Sequence, residues 1–347
     1  MADRIYLDHA ATTPILPAVR EAMVDAFGRW ANPSSPHAEG RAARAALEDA
    51  RRRIKAALDW DGAVIFTGGA SDAAALALTR ARRATRAVSA VEHDAILRLG
   101  KDATIIPVDA SGTVKPEAIP GDALVAVQVA NSETGVIQPL DDLAVTVRER
   151  GGLWLADAAQ TAGKIPLPSA DMLILSAHKL GGPPGIGALL IKELGSLLAI
   201  GGQEQGYRPG TENVPAAIGF AVALEQRGPR DHLASLRARI DAATRELGGV
   251  VVADANSRLP EIASYRLPGL AAAAQLIELD AAGISVSAGS ACSSGSLRPS
   301  AVLTAMGWDE TAAREVIRVS LAPQTTDAEV DLFLQAWRRI ADRRRAA

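Results

Sequence analysis

Between residues 63 and 191, short apolar runs recur at 63–67, 87–91, 104–108, 123–130, 152–156, 171–176 and 187–191. Stretches with helical spacing or turn residues separate them. That alternation implies a mostly parallel sheet with helices on both faces. One helix precedes the series at 36–58, where Leu47, Ala50, Ile54 and Leu58 repeat at helical spacing opposite arginines. Another starts near Ser71 after a Gly-Gly turn. A third opens at Pro139, a good first-turn residue, and runs to about 150. After Gly228 the pattern changes. A long helix spans 229–247, followed by short strands at 249–253, 262–266, 284–287 and 316–320 and helices at 270–282 and 326–344. The fold class is α/β: a large domain over 14–245, and a smaller α+β domain built from 1–13 and 246–347.

Composition narrows the function. Aromatic residues number only five Trp, three Tyr and four Phe, too few for base-stacking platforms. The net charge is −3 with both signs interspersed, so no footprint for direct nucleic-acid or membrane binding emerges. Arg51–Arg53, beside Glu48 and Asp49 on an amphipathic helix, read as a solvated face. The C-terminal RRRAA reads as a frayed helix end. The single cysteine, Cys292, precludes an intrachain disulfide and favours a cytoplasmic setting. No signal peptide or transmembrane run is visible. The histidines show no metal-ligand spacing, so no metal is expected.

The chemistry gathers where apolar runs end. Leu173–Leu175 lead into Ser176, His178 and Lys179, and then into a run of glycines and prolines that neither strand nor helix tolerates. In α/β sheets, ligands bind at such strand ends. FTGGAS (66–71) joins a strand to a helix start, where free N–H groups suit a phosphate. Neither a P-loop nor a full dinucleotide fingerprint is present. LWLADAAQTAGK (153–164) delivers Asp157, with Gln160 three residues on; other strand ends deliver His93 and Asn131. A phosphate cup, an acid, an amide, an imidazole and a lysine on one sheet edge fit pyridoxal 5'-phosphate. A lysine can hold its aldehyde covalently, and an acid can hold the proton of its ring nitrogen.

These motifs, with YLDHAATTP (6–14), NPSSPH (32–37), NSETG (131–135), GGQEQGYRPGTEN (201–213), SAGSACSSGSLRPS (287–300) and IRVSLA (317–322), cover nearly the whole chain. In order and spacing the chain resembles the cysteine desulfurases of the class V aminotransferase family, of the nitrogen-fixation and iron–sulfur-cluster type. The resemblance implies the fold-type I architecture of pyridoxal-phosphate enzymes and conversion of L-cysteine to L-alanine. It implies that Lys179 carries the cofactor and that Ser176, His178, Ser71 and the Ala70 N–H bind its phosphate. Asp157 would hold the ring nitrogen, Gln160 and Asn131 the phenolic oxygen, and His93 would stack on the ring as acid/base catalyst. Asn131 would also touch substrate. Thr211 would reach the neighbouring subunit's phosphate, implying a homodimer. Arg318 would clamp the substrate carboxylate, a task suited to a guanidinium.

Cys292 sits among small polar residues, a composition that suits an exposed loop. By resemblance its thiolate takes the substrate sulfur as a persulfide and passes it to an acceptor protein such as an iron–sulfur scaffold. The alternative is a selenocysteine lyase or another enzyme of the same family. A transaminase needs no loop cysteine, so Cys292 favours the desulfurase. Departures from the family pattern are Ala74 and Ala75, where it has Asp and Asn, and Gln205 and Tyr207, where basic residues are usual.

Overall fold

The structure, a computed structural model, describes residues 4–289 and 299–345. A short strand, β1 (Ile5–Tyr6), is followed by helices α1 (Pro17–Phe27) and α2 (Ala38–Leu58). The large sheet then forms from β2 (Ala63–Thr67), β3 (Thr85–Ser89), β4 (Thr104–Ile106), β5 (Ala123–Ala126), β6 (Leu153–Asp157), β7 (Met172–Ser176) and β8 (Gly187–Ile191). Helix α3 (Ala70–Arg80) follows β2, α4 (Asp94–Leu99) follows β3, and α5 (Leu140–Glu149) precedes β6. Helices α6 (Val214–Glu225) and α7 (Asp231–Glu246) lead to β9 (Val250–Val251), β10 (Ile262–Arg266), α8 (Ala272–Ala281) and β11 (Ile284–Ser285). The chain closes with α9 (Ala301–Ala305), α10 (Glu310–Ala313), β12 (Val316–Ser320) and α11 (Asp327–Arg345).

The large sheet runs in the order β2-β8-β7-β6-β5-β3-β4. Strand β8 is antiparallel to both neighbours, β2 and β7; the remaining pairings are parallel. Because β8 reverses the direction twice, β2 still ends on the same edge as β7. Both faces of the sheet are covered, so its central strands are apolar throughout. Val64, Phe66, Leu173 and Leu175 pack in one core with Leu47 and Ile54 of α2 and Phe220 of α6. The intervening residues Ile65, Met172 and Ile174 pack on the other face with Ala73 and Ala77 of α3 and Ile96 of α4. The two-residue strand period thus sorts neighbouring side chains into two cores.

A separate core gathers around the antiparallel sheet β12-β10-β9. Tyr265 and Val319 meet Phe333 and Trp337 of α11, with Leu7 from the N-terminal segment. Strand β1 pairs in parallel with β11. Leu233, Leu236 and Ile240 of α7 also belong to this core. α7, which the expected boundary at 245 assigns to the large domain, thus packs into the same core as Leu7 and α11.

Arg51 corrects the expectation of a solvated face, because it is only 9% exposed. Its guanidinium grips the Glu204 carboxylate in two hydrogen bonds of 2.9 and 3.1 Å, also donates to the Val64 carbonyl, and lies 4.9 Å from the Phe66 ring centroid. Glu204 also accepts the Phe66 N–H at 2.8 Å. This pair ties α2 and β2 to the loop carrying Thr211. The loop needs such a tie, since Glu204 and Gln205 adopt φ of 50° and 58°, a conformation costly for side chains larger than glycine. Glu204→Ala would take the buried carboxylate from Arg51 and leave the half-exposed Glu48 as its remaining ionic partner. We expect a loss of about 3–5 kcal/mol in urea unfolding; a loss below about 1 kcal/mol would show that Arg51 finds water instead.

Candidate active site

The C-terminal edge of the large sheet opens into a cleft of about 790 Å³. At the end of β2, Gly68 and Gly69 turn the chain into α3, and the Asp72 carboxylate accepts the Gly68 N–H at 2.7 Å. Gly68 through Asp72, including Ala70 and Ser71, line the cleft. The turn is crowded from behind: a Cβ at Gly187 would lie 2.8 Å from the Gly69 Cα. Ala74 is buried and, with Ala73 and Ala77, packs α3 against the sheet, so small residues here serve close helix–sheet contact.

After β7 a short turn at Ala177–Lys179 carries His178 and Lys179 into the cleft. Gly181, at φ +78°, then sends the chain back along the N-terminal segment. There the Thr13 N–H donates to the His178 carbonyl and the Leu16 N–H to that of Gly181. The Lys179 ammonium donates to the Ala10 and Ala11 carbonyls, both at 2.7 Å. His178 Nδ1 lies 3.1 Å from Thr12 Oγ1. Burial and the neighbouring Lys179 charge pull the His178 imidazole down to about 4, so it is neutral at pH 7. Ser176 Oγ is buried without a hydrogen-bond partner.

On the adjacent strand β6, Asp157 lies at the cleft with Oδ1 accepting the Ala159 N–H at 2.8 Å. Burial pushes its carboxyl up; that N–H and the charges of His93 and Lys179 act in the opposite sense. Gln160 Nε2 donates to the Ala10 carbonyl at 2.9 Å, while its Oε1 is buried and unpartnered. His93 caps α4, its Nδ1 accepting the Ala95 N–H at 3.1 Å. That bond leaves Nε2 as the ring nitrogen that carries a proton.

Arg318, on β12, brings the smaller unit to the cleft. Its guanidinium donates to Asp8 at 2.8 Å and to the Ser132 carbonyl at 3.1 Å, and its buried Nε has no hydrogen-bond partner among the described residues. The fork arrives oriented by two contacts, as capture of a carboxylate requires.

Two expected residues stand apart from this cluster. Asn131 does not line the cleft. Its Oδ1 accepts the N–H groups of Glu133 and Thr134, each at 2.9 Å, and its Nδ2 donates to Val91. It braces the turn that presents Ser132 and Glu133. Thr211 is exposed and lies outside this chain's cleft. Cys292 lies outside the described residues; Ser287 and Gly289, which precede it, line the cleft.

The cleft residues given no role on sequence grounds include Asp8, Glu92, Gln128 and Glu133. Glu92 Oε1 accepts the Gln128 N–H at 2.8 Å, and its buried carboxyl also meets the Ser89 side chain. Burial, with the charge of Asp157, pushes its carboxyl well up. Glu133 accepts a hydrogen bond from Ser300, and burial pushes it up as well. Glu92 and Glu133 adjoin His93 and Asn131, and that adjacency was the available signal.

Comparison with known proteins agrees with this geometry. The family description "Aminotransferase class-V" matches residues 5–333. A cysteine desulfurase of Gluconacetobacter diazotrophicus is 39% identical, covering 95% of this chain and 91% of that protein. An IscS-like cysteine desulfurase of Mycobacterium tuberculosis is 36% identical over 99% of this chain and 98% of that protein. The crystal structure of a NifS-like protein from Rickettsia africae superposes with a TM-score of 0.87 at 29% identity, covering 98% of this chain and 99% of that one.

Proposed function

The chain belongs to the class-V aminotransferase family, and we propose that it is a cysteine desulfurase that binds pyridoxal 5'-phosphate through Lys179 and converts L-cysteine to L-alanine. The observation that carries this reading is the convergence of Lys179, Asp157 and Arg318 on one cleft. The residues present fit the cofactor. Asp157 is a desolvated carboxylate that a cationic ring nitrogen would satisfy. The buried Ser176 hydroxyl and the first-turn groups of Ala70 and Ser71 suit a phosphate. His178 adds a neutral ring nitrogen.

When bound, pyridoxal phosphate supplies an electron sink that weakens bonds at the substrate's α-carbon. Asp157 keeps the ring nitrogen protonated. Gln160 lies where a ring substituent can meet its amide. Asn131 supports the site through its turn, alongside the family-implied contacts to ring oxygen and substrate. Arg318 holds the substrate carboxylate and so fixes which substrate bond faces His93, whose Nε2 exchanges protons. The Cys292 thiolate attacks the substrate sulfur: an S–S bond forms as the Cβ–Sγ bond breaks, and the electron pair left on carbon is protonated on the way to alanine.

The same proposal includes a cytoplasmic homodimer, with Thr211 reaching the phosphate in a second copy and an acceptor protein such as an iron–sulfur scaffold taking the persulfide. Val24 and Phe27 of α1, with nearby Trp30, are exposed apolar groups that a second copy could cover. Among the described residues no helix is long and apolar enough to cross a membrane.

The deciding assay incubates the purified, cofactor-loaded protein with L-cysteine and a thiol reductant. Alanine and sulfide are expected in equal amounts. Turnover of selenocysteine alone, or release of a keto acid in place of alanine, would overturn the reading in favour of another member of the family.

A further inference from the structure

Behind Lys179 lies a second cavity of about 260 Å³, at the seam between the two units of the chain. Lys179 and Ala10 line both cavities and form the partition between them. Much of its wall is apolar, from Leu16, Leu224, Ile262 and Pro323. Its charged and titratable groups are His9, Lys164, Lys179, Arg227, Arg230 and Glu261. Arg230 ion-pairs with Glu261, so those two charges cancel. Arg227 is turned away, donating to the Leu224 and Ala57 carbonyls. Burial and the charge of Lys164 pull His9 down to about 4, so it is neutral, and its ring bonds to the Tyr6 backbone.

Among the described residues lining the cavity, Glu261 is the one carboxylate against four cationic side chains, so the lining is net positive and Lys164 is part of that excess. Among the described residues no carboxylate acts on its ammonium: burial, then the positive charges of Arg230 and Lys179, pull it down to about 7. A cation in an apolar chamber calls for a counterion.

We propose that this cavity is a binding site for a short-chain carboxylate, its anionic head on Lys164 and its hydrocarbon body against Leu224, Ile262 and Pro323. A bare inorganic anion would leave the apolar wall unused. The cavity is distinct from the main cleft, where Arg318 meets a carboxylate.

The test titrates the cofactor-loaded protein with butyrate at pH 6, where Lys164 is protonated, by calorimetry at constant ionic strength. One saturable site per chain is expected, not displaced by chloride. Lys164→Met, which removes the charge and keeps the length, should weaken binding about tenfold or more. Arg318→Met should leave it within about twofold, since the two sites are separate. In the unaltered protein, affinity should fall as pH rises through about 7, because the anion requires the protonated amine. This last measurement stands even if Lys164→Met fails to fold. Absence of saturable binding, loss of binding in Arg318→Met, or affinity independent of pH between 6 and 8 would each overturn the proposal.

Discussion

Lys179→Ala is expected to leave a folded protein that retains no cofactor fixable by borohydride and whose turnover falls by at least about 10³-fold. The reason is positional. Among the described residues lining the main cleft, Lys179 is the one lysine. Its amine is held by the Ala10 and Ala11 carbonyls on the same sheet edge as Asp157. Lys164, the other lysine nearby, lines the second cavity and not the main cleft. Folding should survive, because the substitution removes two hydrogen bonds at the edge of a cleft rather than a core side chain. Borohydride reduction followed by peptide mass measurement reads the outcome. Cofactor still fixed at this site in the variant would remove Lys179 from the proposed role.

Cys292→Ser is expected to separate cofactor chemistry from sulfur transfer. Serine is close to cysteine in size, and the small polar residues around Cys292 in the sequence suit an exposed position, where a substitution costs less than about 0.5 kcal/mol. Cofactor loading and the absorbance response to added cysteine should persist, since Lys179, Asp157 and Arg318 are intact. A hydroxyl stays protonated at neutral pH and cannot accept sulfur as a thiolate does. With labelled cysteine and no reductant, the unaltered protein should gain one sulfur on Cys292. The variant should gain none, and its alanine formation should drop at least about 10²-fold. Alanine at the unaltered rate would show that sulfur leaves by a path that bypasses Cys292.

Much of the sheet was legible because its strands are apolar runs cut off by glycine or polar turns. β2, β8, β10 and β12 occupy the residues their hydrophobic runs marked. Elsewhere the runs overshoot: 123–130 is strand only to Ala126. Helix α6 escaped notice because it is apolar nearly all round, being wedged between α1, α2 and the sheet, so no stripe of helical period stands out. α1 was missed as well: two of its eleven residues, Val19 and Ala26, are buried, too few to mark a period.

The site divides in the same way. Strand ends were sufficient to nominate Ser71, His93, Asp157 and Lys179, because a parallel sheet forces those ends onto one edge whatever its strand order. Nothing local announced that Asp8 would orient Arg318 across a separation of 310 residues. Nothing local announced that Arg51 would leave solvent for Glu204, or that Lys164 would face a chamber of its own. The sequence by itself determined the layered α/β class and the residues offered at the sheet edge, since strand period, glycine turns and helix starts are short-range properties of the chain. Only the tertiary structure decided strand order, the burial of Arg51, the brace on Arg318 and the cavity behind Lys179. Those depend on which distant segments exclude water together, and exclusion of water is a property of the packed molecule.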